Sequence, residues 1–489
     1  MRAQRVAAIA AALVLAASLA ACGGDSSSTP QGDPAPSAQG TGSSSTPQAA
    51  TDDPARSEPV EDSVYPDAGD PSVDALSYQL DLSWEPKARR LTGHESLRFR
   101  STETSDHVQL DLSQDLEAAR VEIDGEKAEF SHDGKDLVVQ GDFAADVEYV
   151  LTLNYSGRPQ PVPAPTTRSD FTTTGFTVSD DGSTWTMQEP YGAYTWYAVN
   201  DQPADKAFYD FVLTVPAPWT GIANGELTSR EVVEGKTVTS WHLDSKASSY
   251  LVTVAFGNYQ AVKDTSASGV ALTYWTKVGT PKAYVDSLRA TKDALAWVEG
   301  KLGPYPFPSL GILLVDSQSG METQTMITLG TSDYTTSEAV ILHEIVHQWY
   351  GDLVTPSDWS DLWMNEGMAM YLQLTWQAQV DAYPLTRLLE QAAVVERESR
   401  RVNGPPATYD PKTFGEIQVY YGPALMWDQI RRRVGDDKFW AMVRDWPAAD
   451  PDGSSDRDDY IAWVEKQTGT ELSDLFDSWL LAKRSPRFE

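Results

Sequence analysis

The sequence predicts a multidomain α+β protein, with an N-terminal all-β domain over residues 72–262 and a mainly helical domain over 263–489. Three observations carry this reading. Short alternating apolar runs separated by Asp-Gly and Asn-Gly turns fill the first region, as antiparallel strands require. Helical periodicity takes over after about Val262. The chain has 489 residues, 41% hydrophobic and 22% charged, enough for more than one core.

The strand runs lie at 78–82, 137–139 (after Asp133-Gly134), 149–153, 211–215 and 250–254. No internal repeat is present. In the second region, 284–302 is amphipathic and stops at Gly303-Pro304. Ser337 is placed to cap a helix running to Tyr350, with Gly351 just beyond its end. Val340, Ile341, Leu342, Ile345, Val346 and Trp349 cover most of its circumference, which predicts a buried helix. Residues 420–434 and 461–480 also read as helical.

Ahead of the β region, residues 1–21 carry Arg2 and Arg5 and then an apolar stretch with the layout of a secretory signal. Leu19-Ala20-Ala21-Cys22 resembles the bacterial lipobox, in which the Cys is lipidated and becomes the mature N-terminus. Cys22 is the sole cysteine, so no intrachain disulfide can form. Residues 22–71 are rich in Ser, Pro, Gly and acid and read as a disordered tether that holds the folded part off a membrane. The expected location is the outer face of the bacterial cell membrane, reached through the lipid anchor alone. The net charge of −33 argues against nucleic acid as a partner. It serves solubility, and it also favours cationic ligands.

The buried helix carries His343-Glu344-Ile345-Val346-His347. Two His four residues apart lie one turn apart on one face and can reach a single ion. Neutral imidazole is a good zinc ligand, and Glu344 beside them can take a proton from water activated there. A buried helix has no structural use for three ionisable groups on one turn. Catalytic zinc usually has three protein ligands, and Glu366, on the next predicted helix among Trp363, Met364, Met368, Met370 and Tyr371, is the third candidate. His94, His107, His132 and His242 are dispersed through the β region and read as ordinary histidines.

The stretch HEIVHQWYGDLVTPSDWSDLWMNEGMAMYL at 343–372 resembles the core of the zinc aminopeptidases related to aminopeptidase N and leukotriene hydrolase. The likeness continues through ANGEL (223–227), VAFGNY (254–259) and GPYPFP (303–308), and covers roughly residues 72–489. Short secreted bacterial members with a VNDxPxDKA element, here 199–207, are the nearest in kind. The resemblance implies a saddle-like β domain and a thermolysin-like zinc catalytic domain holding one Zn(2+) per chain. It implies His343, His347 and Glu366 as metal ligands and Glu344 as general base.

Further roles follow from the same resemblance. Ser319-Gly320-Met321-Glu322-Thr323 matches a Gly-Ala-Met-Glu-Asn substrate loop whose Glu grips the peptide amine; Met321 and Glu322 are kept, while Ser319, Gly320 and Thr323 depart. Glu189, before Pro190, matches a second amine-binding acid. Met187 stands where members often have Gln in the first specificity pocket, which shifts the expected preference toward apolar side chains. Tyr420 matches the oxyanion tyrosine best, with Tyr421 as the alternative because Gly422-Pro423 replaces the usual basic-Gly pair. The further β and helical domains of larger relatives are not expected in this chain.

The expected function is removal of N-terminal residues from peptides. A zinc endopeptidase on the same core is the first rival, with epoxide hydrolysis as a weaker version of it. The second is a non-catalytic, zinc-containing binding lipoprotein, against which the intact Glu344 counts.

Overall fold

The computed structural model describes residues 53–488, so the signal segment, Cys22 and most of the tether lie outside the described residues. Residues from Ala55 onward form one compact unit. Among the described residues no helix is long and apolar enough to cross a membrane.

An eight-stranded sheet leads the β domain, in the order Glu226–Val233, Lys236–Ser248, Lys206–Pro216, Val73–Glu85, Arg90–Ser101, Glu148–Gly157, Leu116–Ile123, Glu126–Lys127. All its pairings are antiparallel except that of Val73–Glu85 with Lys206–Pro216. Alternation sets the register: Tyr78, Leu80, Leu82 and Trp84 are buried while Gln79, Asp81 and Glu85 are exposed. A five-stranded sheet (Thr220–Ala223, Val254–Gly257, Thr184–Met187, Thr173–Val178, Val162–Pro163) and a three-stranded one complete the domain.

The second domain opens with its own five-stranded sheet, in the order Tyr259–Thr265, Ala271–Lys277, Ser309–Val315, Met326–Gly330, Gly320–Met321. Its first strand starts at Tyr259, a few residues before the boundary expected at 262/263. Nine α-helices accompany it among the described residues, the first two between its second and third strands: α1 (Lys282–Ser287), α2 (Thr291–Leu302), α3 (Glu338–His347), α4 (Trp363–Val380), α5 (Leu385–Asn403), α6 (Ile417–Val434), α7 (Asp436–Asp445), α8 (Arg457–Thr468) and α9 (Ser473–Leu480).

Local chemistry sets the ends of these helices. Ser337 accepts the backbone N–H of Val340 and caps α3, as the sequence predicts. The region 461–480 is two helices because Gly469 takes a left-handed C-cap at φ 62°. The run at 250–254 begins as a 3-10 turn at Ser249–Leu251, and the strand starts only at Val254.

The tether boundary at residue 71 needs correction. Ala55 and Asp62 are buried. The Ser57 N–H donates to Asp74, that of Val60 to Gln202, and the Ser63 hydroxyl to Asp358. Asp62 accepts the backbone N–H of Trp359 at 2.7 Å, and the Tyr65 hydroxyl donates to the Pro411 carbonyl at 2.8 Å. This strap touches both domains. It is ordered by backbone and short polar side chains, which a reading based on apolar content does not detect.

The two domains are also joined by packing. The apolar core of the β sheets continues into Trp359, Leu362, Tyr409, Phe414 and Val419 of the helical domain. Lys206, fully buried, donates to the carbonyls of Asp352 and Leu353 at 2.8 and 3.2 Å. The β domain thereby holds the turn that follows α3. Burial pushes the Lys206 ammonium down to about 8, a cost that nearby acids only partly offset.

Candidate metal centre and substrate cleft

Helix α3 is buried from Val340 to His347, and α4 packs on it with Glu366 in its first turn, where the helix dipole favours an anion. The His343 Nε2 lies 3.0 Å from Glu366 Oε2, and the His347 Nε2 lies 3.4 Å from the same oxygen. The two imidazole rings are 4.8 Å apart. The Nδ1 of His347 lies 3.1 Å from the Tyr350 carbonyl, which can only accept, so Nδ1 carries the proton and the Nε2 lone pair is free to ligate. One donor atom from each of the three residues lies within 4.8 Å of the others. The donor set, two imidazoles and a carboxylate, fits a divalent first-row metal and zinc above all.

Burial alone would raise the Glu366 carboxyl, yet His347 and His343 hold it well below the usual carboxylate range. Glu344, on the same turn as the imidazoles, is pushed by burial up to about 8, against the pull of His347. Its carboxylate rests over Gly320. A Cβ at that position would stand 2.6 Å from Glu344 Oε1. The departure from alanine to glycine in the loop therefore gives the Glu344 carboxylate its room.

The loop expected to meet substrate contains the edge strand Gly320–Met321 of the second domain's sheet, paired to Met326–Gly330. An extended peptide can add to such an edge. Two motif residues pin the loop. Gln348, directly after the second imidazole, donates to the Glu322 carbonyl at 2.9 Å and accepts from Thr325 N–H and the Tyr305 hydroxyl, both at 3.0 Å. Asn224 of the β domain donates to the Gln324 carbonyl at 2.6 Å. Thr323, which departs from asparagine, keeps its hydroxyl inside the loop on Met326 and Thr328.

Glu322 and Glu189 are 3% and 8% exposed, and each has a buried Oε1 with no hydrogen-bond partner. Burial raises both carboxyls, and Glu366 adds to this on both; Glu189 is raised further, with Glu322 also acting on it, while His347 acts in the opposite sense on both. Carboxylate oxygens buried without donors are costly unless a cation meets them. Met187, two residues before Glu189, is buried and receives the Ser317 hydroxyl at 3.5 Å from its sulfur.

Tyr420, on α6, has its ring 6.0 Å from that of His343, and its hydroxyl faces Glu366. Tyr421 packs into the helical core beside Tyr334. Only Tyr420 reaches the metal centre. Gly367 makes this possible: a Cβ there would lie 2.3 Å from Pro423 Cβ, so α4 and α6 touch one residue from Glu366 and one turn from Tyr420.

Every expected site residue except Cys22 thus falls in or around one buried cluster. The sequence reading missed three others. Arg168 and Asp170, from a β-domain loop, reach Tyr420 and Ser319. Asp352, fully buried with neither carboxylate oxygen hydrogen-bonded, faces Glu322 and His347. No local pattern marks Arg168; for Asp352, an acid directly after the helix-ending Gly351 was the available signal.

Comparison with known proteins adds the lineage. The description "Peptidase M1 N-terminal domain" matches residues 74–251 and "Peptidase family M1 domain" matches 287–479. The chain is 24% identical over 410 residues to Aminopeptidase M1-B of Oryza sativa subsp. japonica, covering 74% of this chain and 45% of that protein. It is 24% identical over 333 residues to Aminopeptidase N of Streptomyces lividans, covering 62% and 38%. The chain spans less than half the length of these relatives. A solved M1 zinc metallopeptidase from Deinococcus radiodurans superposes with a TM-score of 0.79 at 22% identity, over 88% of this chain and 98% of that one. A two-domain M1 zinc metallopeptidase bound to L-arginine gives 0.79 at 23%, over 88% and 99%. At such identities these likenesses speak to the fold, a β domain followed by a helical one.

Proposed function

We propose, from the premise that this chain belongs to peptidase family M1, that it is a zinc-dependent aminopeptidase removing N-terminal residues from peptides. One observation carries the reading: the unpartnered, buried oxygens of Glu189 and Glu322 beside the His343–His347–Glu366 cluster. They ask for a cation at a fixed short distance from the reacting centre. The α-ammonium of a peptide is such a cation, and holding it there limits cleavage to the first peptide bond.

His343, His347 and Glu366 hold the metal in this reading. A zinc ion bound there would supply Lewis acidity toward the scissile carbonyl and toward water. Glu344 accepts the water proton and returns it to the leaving amine. Tyr420 donates its hydroxyl to the oxygen on which charge develops, a contact typically contributing about 3–4 kcal/mol. Met187 lines the pocket for the first side chain and favours apolar residues.

The chain is further inferred to be exported and lipid-anchored through Cys22; support for this is the sequence of residues 1–22 alone. Native protein should then partition into detergent and carry acyl chains, and a wholly water-soluble native protein would remove the anchor. The activity is tested with a panel of aminoacyl fluorogenic amides beside N-acetylated peptides, with and without chelator. Hydrolysis of the free-amine substrates alone, abolished by chelator, is expected. Equal cleavage of acetylated peptides at internal bonds would favour an endopeptidase, and no cleavage at all a binding lipoprotein.

A further inference from the structure

The Arg168 guanidinium sits where the two domains meet and satisfies four partners at once. It donates to the Tyr420 hydroxyl at 3.1 Å, to the Gly415 carbonyl at 3.3 Å and to Ser319 Oγ at 3.3 Å. Two further bonds run to Asp170, at 2.7 and 3.3 Å, and fix the plane of the fork. Its side chain is 27% exposed, so it is neither a free surface charge nor sealed in the core. Ser319, a departure from the glycine of the resemblance, is the residue whose hydroxyl meets this arginine.

The hydrogen-bond roles here are forced. A guanidinium has only donors, so the oxygen of Tyr420 must accept from it. The phenolic proton is then left for another acceptor; Glu366 faces the hydroxyl and the His343 ring lies 6.0 Å from that of Tyr420, so the proton is directed to the metal centre. A cation on the phenol oxygen also strengthens the O–H as a donor, and Asp170 keeps that cation from swinging into the cleft. Without Arg168, Tyr420 would keep its ring packing but lose what fixes the torsion of its hydroxyl.

We propose that Arg168, supplied by the β domain, is a positioning residue that aims the Tyr420 proton at the oxygen on which negative charge develops during peptide hydrolysis. The proposal rests on the aminopeptidase reading above. It gives the β domain a part in the chemistry: Arg168 orients the donor on one side of the scissile bond, as Glu189 meets the amine on the other. It also accounts for Ser319, because a glycine there would leave one N–H of the fork without its acceptor.

A double-mutant cycle on the zinc-loaded full chain tests this, with an aminoacyl fluorogenic amide as substrate. Arg168→Met should lower kcat about 30-fold with KM within about twofold, the pattern of a contact that matters in the transition state. Arg168→Lys should recover part of that loss. In the Tyr420→Phe background, Arg168→Met should cost less than about twofold, because the group it positions is gone. A purely structural arginine would impose the same fractional loss in both backgrounds, and that result overturns the proposal. So does a raised KM with unchanged kcat, which would make Arg168 a substrate contact. If Arg168→Met does not fold, judged by its melting transition, Arg168→Lys carries the same cycle. A wild-type chain inactive on every aminoacyl amide would remove the aminopeptidase reading and this proposal with it; an active wild type with additive losses removes only the proposal.

Discussion

His343, His347 and Glu366 come from one helix–turn–helix stretch, α3 and the start of α4, whereas Arg168, Glu189, Glu322 and Tyr420 reach the cleft from both domains. The metal side is fixed by helical spacing and by one close helix contact. The recognition side depends on the domain junction: on Lys206 holding the turn after α3, on Asn224 holding the substrate loop, and on the strap from Ala55 to Asp70. Damage to the metal side should therefore end all activity. Damage to the side built from both domains should be graded, changing which substrates are used at Glu322 and lowering kcat at Tyr420.

The largest effect belongs to the metal side. Glu344→Gln removes the proposed base and none of the proposed ligands, so metal analysis should still find one zinc per chain while kcat falls by about a thousandfold or more. An active, zinc-loaded variant would take Glu344 out of the chemistry.

On the recognition side, Glu322→Ala should lower kcat/KM on free-amine substrates by several kcal/mol, roughly two to three powers of ten, since the ammonium loses its partner in a buried site. Zinc content should not change. A variant that still prefers free amines over acetylated peptides by the wild-type ratio would assign amine recognition elsewhere.

The two tyrosines on α6 separate the sides further. Tyr420→Phe should lower kcat about a hundredfold with little change in KM, and Tyr421→Phe less than about threefold. Steady-state kinetics on both variants decides between them, and the reverse ranking would mean that Tyr421 is the oxyanion donor.

Gly367→Ala probes the helix contact that serves both sides. The added methyl runs into Pro423, and overpacking of this kind costs about 1–3 kcal/mol, read as a lower melting temperature together with reduced kcat. An unchanged melting temperature would show that the α4–α6 contact has slack. The smallest effect is expected at Met187→Gln, which should shift the preference among aminoacyl amides toward polar side chains by less than about tenfold, with zinc and stability unaffected. A substrate ranking identical to wild type would take Met187 out of the pocket.

What the sequence determined by itself was whatever local geometry can carry. Two histidines four apart on a helix apolar all round must share a face in the interior, and Ser337 and Gly351 mark where that helix begins and where the chain has turned away from it. The strand runs followed from alternation, and Glu189 and Glu322, the acids proposed to bind the amine, followed from resemblance in short motifs. Tertiary structure decided the rest, because it depends on residues far apart in the chain meeting at a few ångströms. Nothing near Arg168 announces that its fork ends on Tyr420, and nothing near Asp62 announces that a Ser- and Pro-rich segment will cap Trp359. The choice of Tyr420 over Tyr421 is of the same kind: adjacent residues on a helix point about 100° apart, and only the packing of Gly367 on Pro423 determines which of the two faces the metal.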